Sequence, residues 1–218
     1  MLALIGGGRL NRAGVQSADE RLSSPVQRAQ RMGMSTSRKR WTAAEIDGLP
    51  DDGFRHEVIG GERVVTPAPS LVHQRAVLQL AALLLPYCDA CGVDLIIVPA
   101  DVKFGEYDQV QPDLFVMPRT PDGKSPVRFA DVGRLLLAVE VVSPSSRHTD
   151  RGRKRKLYQK LGVPEYWVVD LEGRVVERWM SACASEERIG DELSWQPVMD
   201  HAPIEINLAS YFRRVLDA

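Results

Sequence analysis

The sequence predicts an α/β fold, a mixed β-sheet flanked by helices, and three observations carry that prediction. Residues 135–142 form the most continuously apolar run of the chain, broken only by Glu140, as a central buried strand requires. A basic helical stretch follows, then a second apolar strand at 165–170; strand, helical crossover and strand predict parallel neighbours. Upstream, a hairpin signal and a long helical stripe precede further strands, so sheet and helix segments alternate along one chain.

Taken in order, residues 1–40 are rich in Gly, Arg, Ser and Gln without apolar periodicity and are expected to be a disordered basic extension. Gly6-Gly7-Gly8 follows no strand and is too short for a phosphate loop. Met34 is an alternative to Met1 as the translation start. The folded domain is expected over 41–218, opening with a short helix at 43–47 that Thr42 and Glu45 cap reciprocally. Strands at 54–59 and 62–65 flank Gly60-Gly61, a two-residue hairpin turn. Pro67 and Pro69 break the sheet pattern before a helix from Leu71 to about Cys91, with a stripe of Val72, Ala76, Leu80, Leu83 and Leu84 toward the core. Pro86 is expected to kink or end it.

Short strands follow at 95–98, 102–104 and 114–117, then a Pro-, Asp- and Gly-rich loop at 118–125. After 135–142, Ser143-Pro144-Ser145-Ser146 stops the strand, and a helix is expected over 150–161, closed by Gly162 and Pro164. Strands at 165–170 and 174–179 meet at the Glu172-Gly173 turn; an edge element at 204–206 and a helix from about Ala209 finish the chain.

The 218 residues carry a net charge of -1, which argues against a general polyanion binder and confines nucleic-acid contact to local basic clusters. No stretch is long and apolar enough to span a bilayer, and Met1–Leu10 lacks a basic segment ahead of its short apolar piece; no membrane association and a cytoplasmic location are expected. Cys88, Cys91 and Cys183 are expected to be reduced, and Cys88-x-x-Cys91, at the end of a helix with no second ligand pair, reads as structural.

The chemistry concentrates in three places. An ionised carboxylate within an apolar central strand is costly unless paired or bound to a cation, which singles out Glu140. Asp113 opens a strand after Gln111-Pro112. Two carboxylates from adjacent strands, with waters and a backbone carbonyl, suit an octahedral Mg²⁺ or Mn²⁺. On the basic helix, Asp150, Lys154 and Tyr158 recur every four residues and share a face, which aims Lys154 toward the strand of Glu140. Arg147, Arg151, Arg153, Arg155 and Lys156 surround it and are candidate phosphate contacts. Each part has a plainer reading: Asp113 as a turn residue, Glu140 as an ion-pair partner of Lys154, the basic helix as a solvated face.

These residues carry a family resemblance. The segments Phe54-Arg55-His56-Glu57-Val58-Ile59-Gly60-Gly61-Glu62, Pro69-Ser70-Leu71-Val72-His73-Gln74, Gln111-Pro112-Asp113, Val139-Glu140-Val141-Val142-Ser143-Pro144-Ser145, Asp150 through Lys154 to Tyr158, and Gly162-Val163-Pro164-Glu165-Tyr166-Trp167 resemble the Uma-two family of restriction-endonuclease-like proteins, within the PD-(D/E)XK nuclease superfamily. The resemblance extends from about Trp41 to near the C-terminus. It implies a restriction-endonuclease-like mixed sheet, Mg²⁺ (or Mn²⁺) held by Asp113, Glu140 and the carbonyl of Val141, and DNA as substrate. The superfamily places a lysine two residues after the second acid, where this chain has Val142; Lys154 resembles that lysine, migrated to the helix. Glu57 and His73 are candidate supporting groups, with Asp150 and Tyr158. Tyr158 and Tyr166 are expected to pack with one satisfied hydroxyl.

The leading expectation is a Mg²⁺-dependent endodeoxyribonuclease using Asp113, Glu140 and Lys154. A nucleic-acid-binding or assembly module on a decayed nuclease core is the alternative, favoured by Val142 and the near-neutral charge; a hydrolase of small phosphoesters is a third. A homodimer is expected by analogy only.

Overall fold

A computed structural model of the chain describes residues 39–181 and 186–217. The expected extension lies outside these residues up to position 38, with both candidate start methionines, as does Cys183.

The first helix, α1 (Ala43–Asp47), carries the expected reciprocal cap: Glu45 N–H donates to Thr42 Oγ1 at 3.2 Å and Thr42 N–H to Glu45 Oε2 at 2.9 Å. Strands β1 (Arg55–Ile59) and β2 (Glu62–Thr66) pair antiparallel across Gly60 and Gly61. Both glycines have positive φ, 60° and 83°, as a tight primed turn demands. The long helix α2 (Leu71–Cys91) continues past Pro86, which lies exposed, and ends at Gly92 in the left-handed region. Its buried face differs from the expected stripe: Val77 and His73 point inward, whereas Val72 is exposed and Leu83 only half-buried. His73 is buried against a carboxylate, which a count of apolar positions does not register.

Strands β3 (Val93–Ile97), β4 (Val102–Gly105), β5 (Asp108–Val110) and β6 (Leu114–Pro118) follow. Then come β7 (Leu137–Val141), every residue of it buried, a helix α3 in three pieces, and β8 (Glu165–Asp170). The pieces of α3 are Arg147–Thr149, a π-helical turn Asp150–Lys154, and Arg155–Lys160. Strands β9 (Val175–Met180), β10 (Glu186–Ile189), β11 (Glu192–Trp195) and β12 (Ile204–Asn207) lead to the last helix, α4 (Leu208–Leu216).

Among the described residues the main sheet has the order β10-β9-β8-β7-β6-β3. β7 and β8 are parallel as expected and the other pairs antiparallel, so the sheet is mixed. A smaller antiparallel sheet has the order β2-β1-β5-β4, and β11 pairs with β12.

Strand alternation divides the core. Leu137, Val139 and Val141 of β7 face α2 and α4, packing with Leu80, Leu84, Trp167, Tyr211 and Phe212. Ala138 and Val142 face the other way, toward Leu157 and Tyr158 of α3 and Val102 and Val110 of the small sheet. Glu140 falls between Ala138 and Val142 and shares their face. The sheet therefore delivers one carboxylate into the layer between itself, α3 and the small sheet.

Candidate active site

Burying a carboxylate there costs several kcal/mol unless it is compensated, about as much as one or two buried leucines return. Glu140, at 2% exposure, is compensated by Lys154, whose Nζ donates to Glu140 Oε1 at 2.8 Å. The same ammonium lies 2.9 Å from Glu57 Oε1 and 3.9 Å from Asp150 Oδ1. Glu57 comes from β1, and its Oε1 also accepts the N–H of Gln111 at 2.7 Å. Tyr158 Oη stands 3.4 Å from Glu140 Oε1, longer than a strong hydroxyl bond. Tyr166 donates instead to the carbonyl of Asp150 at 3.1 Å.

Asp113 stands at the start of β6, next to β7. Its Oδ2 accepts the Val141 N–H at 2.8 Å and bonds His73 Nε2 at 3.0 Å; its Oδ1 accepts from Arg55 Nη1 at 2.9 Å. His73 reaches it from the first turn of α2, where Ser70 Oγ accepts the His73 N–H. Three donors occupy Asp113, leaving about one of its four lone-pair directions open.

The structure thus gathers Asp113, Glu140, Lys154, Val141, Glu57, His73, Asp150 and Tyr158 around one place. Arg55, His73, Asp113, Glu140, Asp150 and Lys154 line a cavity of ≈ 190 Å³ whose rim is formed by residues 66–70 and 143–146. A larger cavity of ≈ 490 Å³, walled by Phe115, Met117 and Phe129, holds none of these groups, so the chemistry and not the size locates the site.

Arg55 escaped the sequence reading. It sits two residues before Glu57 on β1, and the period-2 rule puts both on one face, which is the signal that was available. The basic cluster is placed differently from expectation. Arg151 is committed to Glu177 and Asp170, Arg147 to Glu172, Arg153 to Glu62, and Arg155 lies over the Trp179 ring. None of these, nor Lys156, lines the cavity around Asp113. The positive charges at its wall are Arg55 and Lys154. The cause is that α3 exposes its outer face to acidic neighbours on β2 and β8–β9, and charges in reach of one another pair.

The electrostatics follow from one imbalance. Four buried acids, Glu57, Asp113, Glu140 and Asp150, face two permanent cations, Arg55 and Lys154, so acidic groups outnumber permanent positive charges. Burial would raise the Asp113 carboxyl, yet the His73 bond and the charges of His73, Arg55 and Lys154 carry it down to about 2. Burial raises Glu140 well above the usual carboxylate range; Lys154 opposes the rise, and Asp113, Asp150 and Glu57 add to it. Burial, opposed by Lys154, raises Asp150 to about 6. Burial alone would discharge Lys154, but Glu140, Glu57 and Asp150 raise its pKa and keep it an ammonium.

A dication fits this site. The donors are hard oxygens, acids outnumber permanent cations, and Asp113, with three donors on it, keeps about one lone-pair direction open toward the cavity. Among the described residues no three His, Cys, Asp or Glu side chains already surround a common metal position; Mg²⁺ needs only one or two carboxylates, the rest being water or backbone oxygen.

The family model of Uma2, described as "Putative restriction endonuclease", matches residues 43–212. The chain belongs to the Uma2 family. A solved structure, a "putative nuclease belonging to DUF820 from Anabaena variabilis ATCC 29413", is similar with a TM-score of 0.66 at 17% identity, over 80% of this chain and 99% of that one. At that identity the likeness speaks for the fold: the restriction-endonuclease-like mixed sheet expected from the Uma2 resemblance. None of the curated proteins matches. Among the described residues of this Uma2 chain, no helix is long and apolar enough to cross a membrane.

Proposed function

We propose that the chain is a metal-dependent endonuclease hydrolysing DNA phosphodiester bonds. The observation that carries this reading is the convergence of Asp113, Glu140 and Lys154 on one cavity in which acids outnumber permanent cations. Family membership and the similar nuclease structure support it.

Asp113, Glu140 and the carbonyl of Val141 would hold Mg²⁺ or Mn²⁺. When bound, such an ion acidifies water and offsets charge on a phosphoryl oxygen. The chain's own groups do the rest. Arg55, His73 and the Val141 N–H fix the Asp113 carboxylate in one orientation before any ligand arrives. Lys154, held protonated by its acidic neighbours, presents a permanent positive charge where a phosphate would develop negative charge. Arg55 adds a second charge at the same wall.

Plasmid and single-stranded DNA incubated with Mg²⁺ or Mn²⁺ test the reading. Cutting by the wild type and none by Asp113→Asn or with EDTA is expected; equal cutting by both proteins rejects it. The second reading is a nucleic-acid-binding or assembly module without cleavage. It is favoured by Lys154 being tied to Glu57 and Glu140. Salt-sensitive, metal-independent binding with no product would select it.

A further inference from the structure

The amine at the centre of the site is surrounded more completely than charge pairing with Glu140 requires. Oxygens of three carboxylates converge on Lys154 Nζ from three elements: Glu57 Oε1 from β1, Glu140 Oε1 from β7 and Asp150 Oδ1 from α3. All three residues are at most 2% exposed. The Gln111 N–H pins Glu57 from the other side. Asp150 Oδ1, 3.9 Å away, is too far for a hydrogen bond and has no other hydrogen-bond partner, so an acceptor is left over beside the ammonium. Asp113 is fastened by a different set, Arg55, His73 and Val141.

We infer that the site has two cation positions: one for a dication beside Asp113, and a second, built by Glu57, Glu140 and Asp150, which the Lys154 ammonium fills permanently. The position beside Asp113 rests on the proposed nuclease reading; the ammonium's cage rests on the distances alone. Glu57 and Asp150 are then positioning residues that hold the lysine, and Glu140 is the wall between the two positions. The lysine takes the place of a second metal ion, and the centre is a one-ion centre. With the ammonium present, Glu140 accepts its hydrogen bond at 2.8 Å and Glu57 is ion-paired with it at 2.9 Å.

The cage makes a chemical prediction because three buried carboxylates cannot all stay ionised without a compensating cation. Lys154→Met removes the charge and keeps much of the volume. Titration of the full chain with Mn²⁺, followed by calorimetry and by electron paramagnetic resonance, should show one ion per chain in the wild type and two in Lys154→Met. Adding Glu57→Gln to Lys154→Met should remove the second ion. A Lys154→Met protein that binds no more ions than the wild type overturns the inference. Should that variant fail to fold, Glu57→Gln in the otherwise intact chain decides: it must keep its ion while Asp113→Asn loses it, and loss in both makes Glu57 a ligand and overturns the inference. A wild type that binds no Mn²⁺, beside a Lys154→Met that binds one ion in a Glu57-dependent way, supports the cage and rejects the dication of the nuclease reading.

Discussion

Replacing Asp150 by asparagine should stabilise the metal-free protein at pH 8. Asp150 is buried on the π-helical turn of α3, and burial, only partly opposed by Lys154, raises its pKa from 3.8 to about 6. The sign follows from linkage. The folded state binds the proton more tightly than the unfolded one, so Asp150 weighs least on stability below about pH 4. Its penalty grows as pH rises toward 6 and is complete above that. At about 1.4 kcal/mol for each tenfold in proton affinity, the penalty is roughly 3 kcal/mol. An asparagine carries no charge but brings an amide that needs a partner, which takes back about 1 kcal/mol. The net expectation is a gain of roughly 2 kcal/mol at pH 8 and a loss of roughly 0.5 kcal/mol at pH 4, where little of the charge penalty is left and the amide still costs the same. Glu140 is raised in the same direction, so the wild type with EDTA should lose stability steadily from pH 5 to pH 8. Saturating Mg²⁺, which balances the surplus charge, should shrink that loss. Urea unfolding followed by tryptophan fluorescence at pH 4, 5, 6 and 8 reads all of this. A flat wild-type profile between pH 5 and 8, or an Asp150→Asn protein weaker than wild type at pH 8, refutes the reasoning.

Four further outcomes are expected. Asp113→Asn should lower DNA cleavage by at least about 100-fold in a gel assay with saturating substrate; near-wild-type cutting would count against Asp113 as a ligand. Below pH 4 the wild type should lose stability as Asp113, ordinarily 3.8 and here about 2, takes up its proton, visible as acid unfolding that begins near pH 4. Arg151→Met leaves buried Glu177 with Arg188 as its remaining ion-pair partner and strips Asp170 of its guanidinium, a loss of about 2 kcal/mol in urea unfolding. Gly92→Ala meets no atom within 4 Å, so its cost should be the backbone term alone at φ 67°, about 1 kcal/mol in the same assay.

What the sequence disclosed depended on how local each signal was. The Thr42–Glu45 cap, the Gly60-Gly61 turn, the apolar strand of Glu140 and the parallel crossover to β8 are written in contiguous residues, and each was legible. β5 has three residues, Asp108–Val110, too few to show a period. β10 reads Glu-Glu-Arg-Ile and is a strand because Arg178 and Glu177 on β9 pair across to Glu187 and Arg188, a reason that lies outside the segment. The acids and the lysine of the candidate site were visible as charges in apolar surroundings. The ion pairs of the basic face of α3 were hidden for the complementary reason: its acidic partners Glu62, Asp170, Glu172 and Glu177 are distant in the chain, so the arginines looked unpaired.

The position of the lysine shows why a helix can supply what the strand lacks. Val142 shares the face of Glu140 and packs in the same layer as Leu157 and Tyr158. An amine at 142 would reach Glu140 along the strand, whereas Lys154 reaches it from the helix lying over that face. The approach requires Asp150 and Lys154 to point the same way, and the π-helical turn between them arranges this. There the Arg155 N–H bonds back to the carbonyl of Asp150, five residues earlier, and the widened turn brings residues four apart closer to eclipse. The Tyr166 hydroxyl donates to that same carbonyl and ties the turn to β8. The ammonium is therefore only as well placed as α3 is docked. Leu157 and Tyr158, which touch no substrate in the proposed reaction, set its distance from Glu140, and thinning their packing should move the amine before it unfolds the sheet.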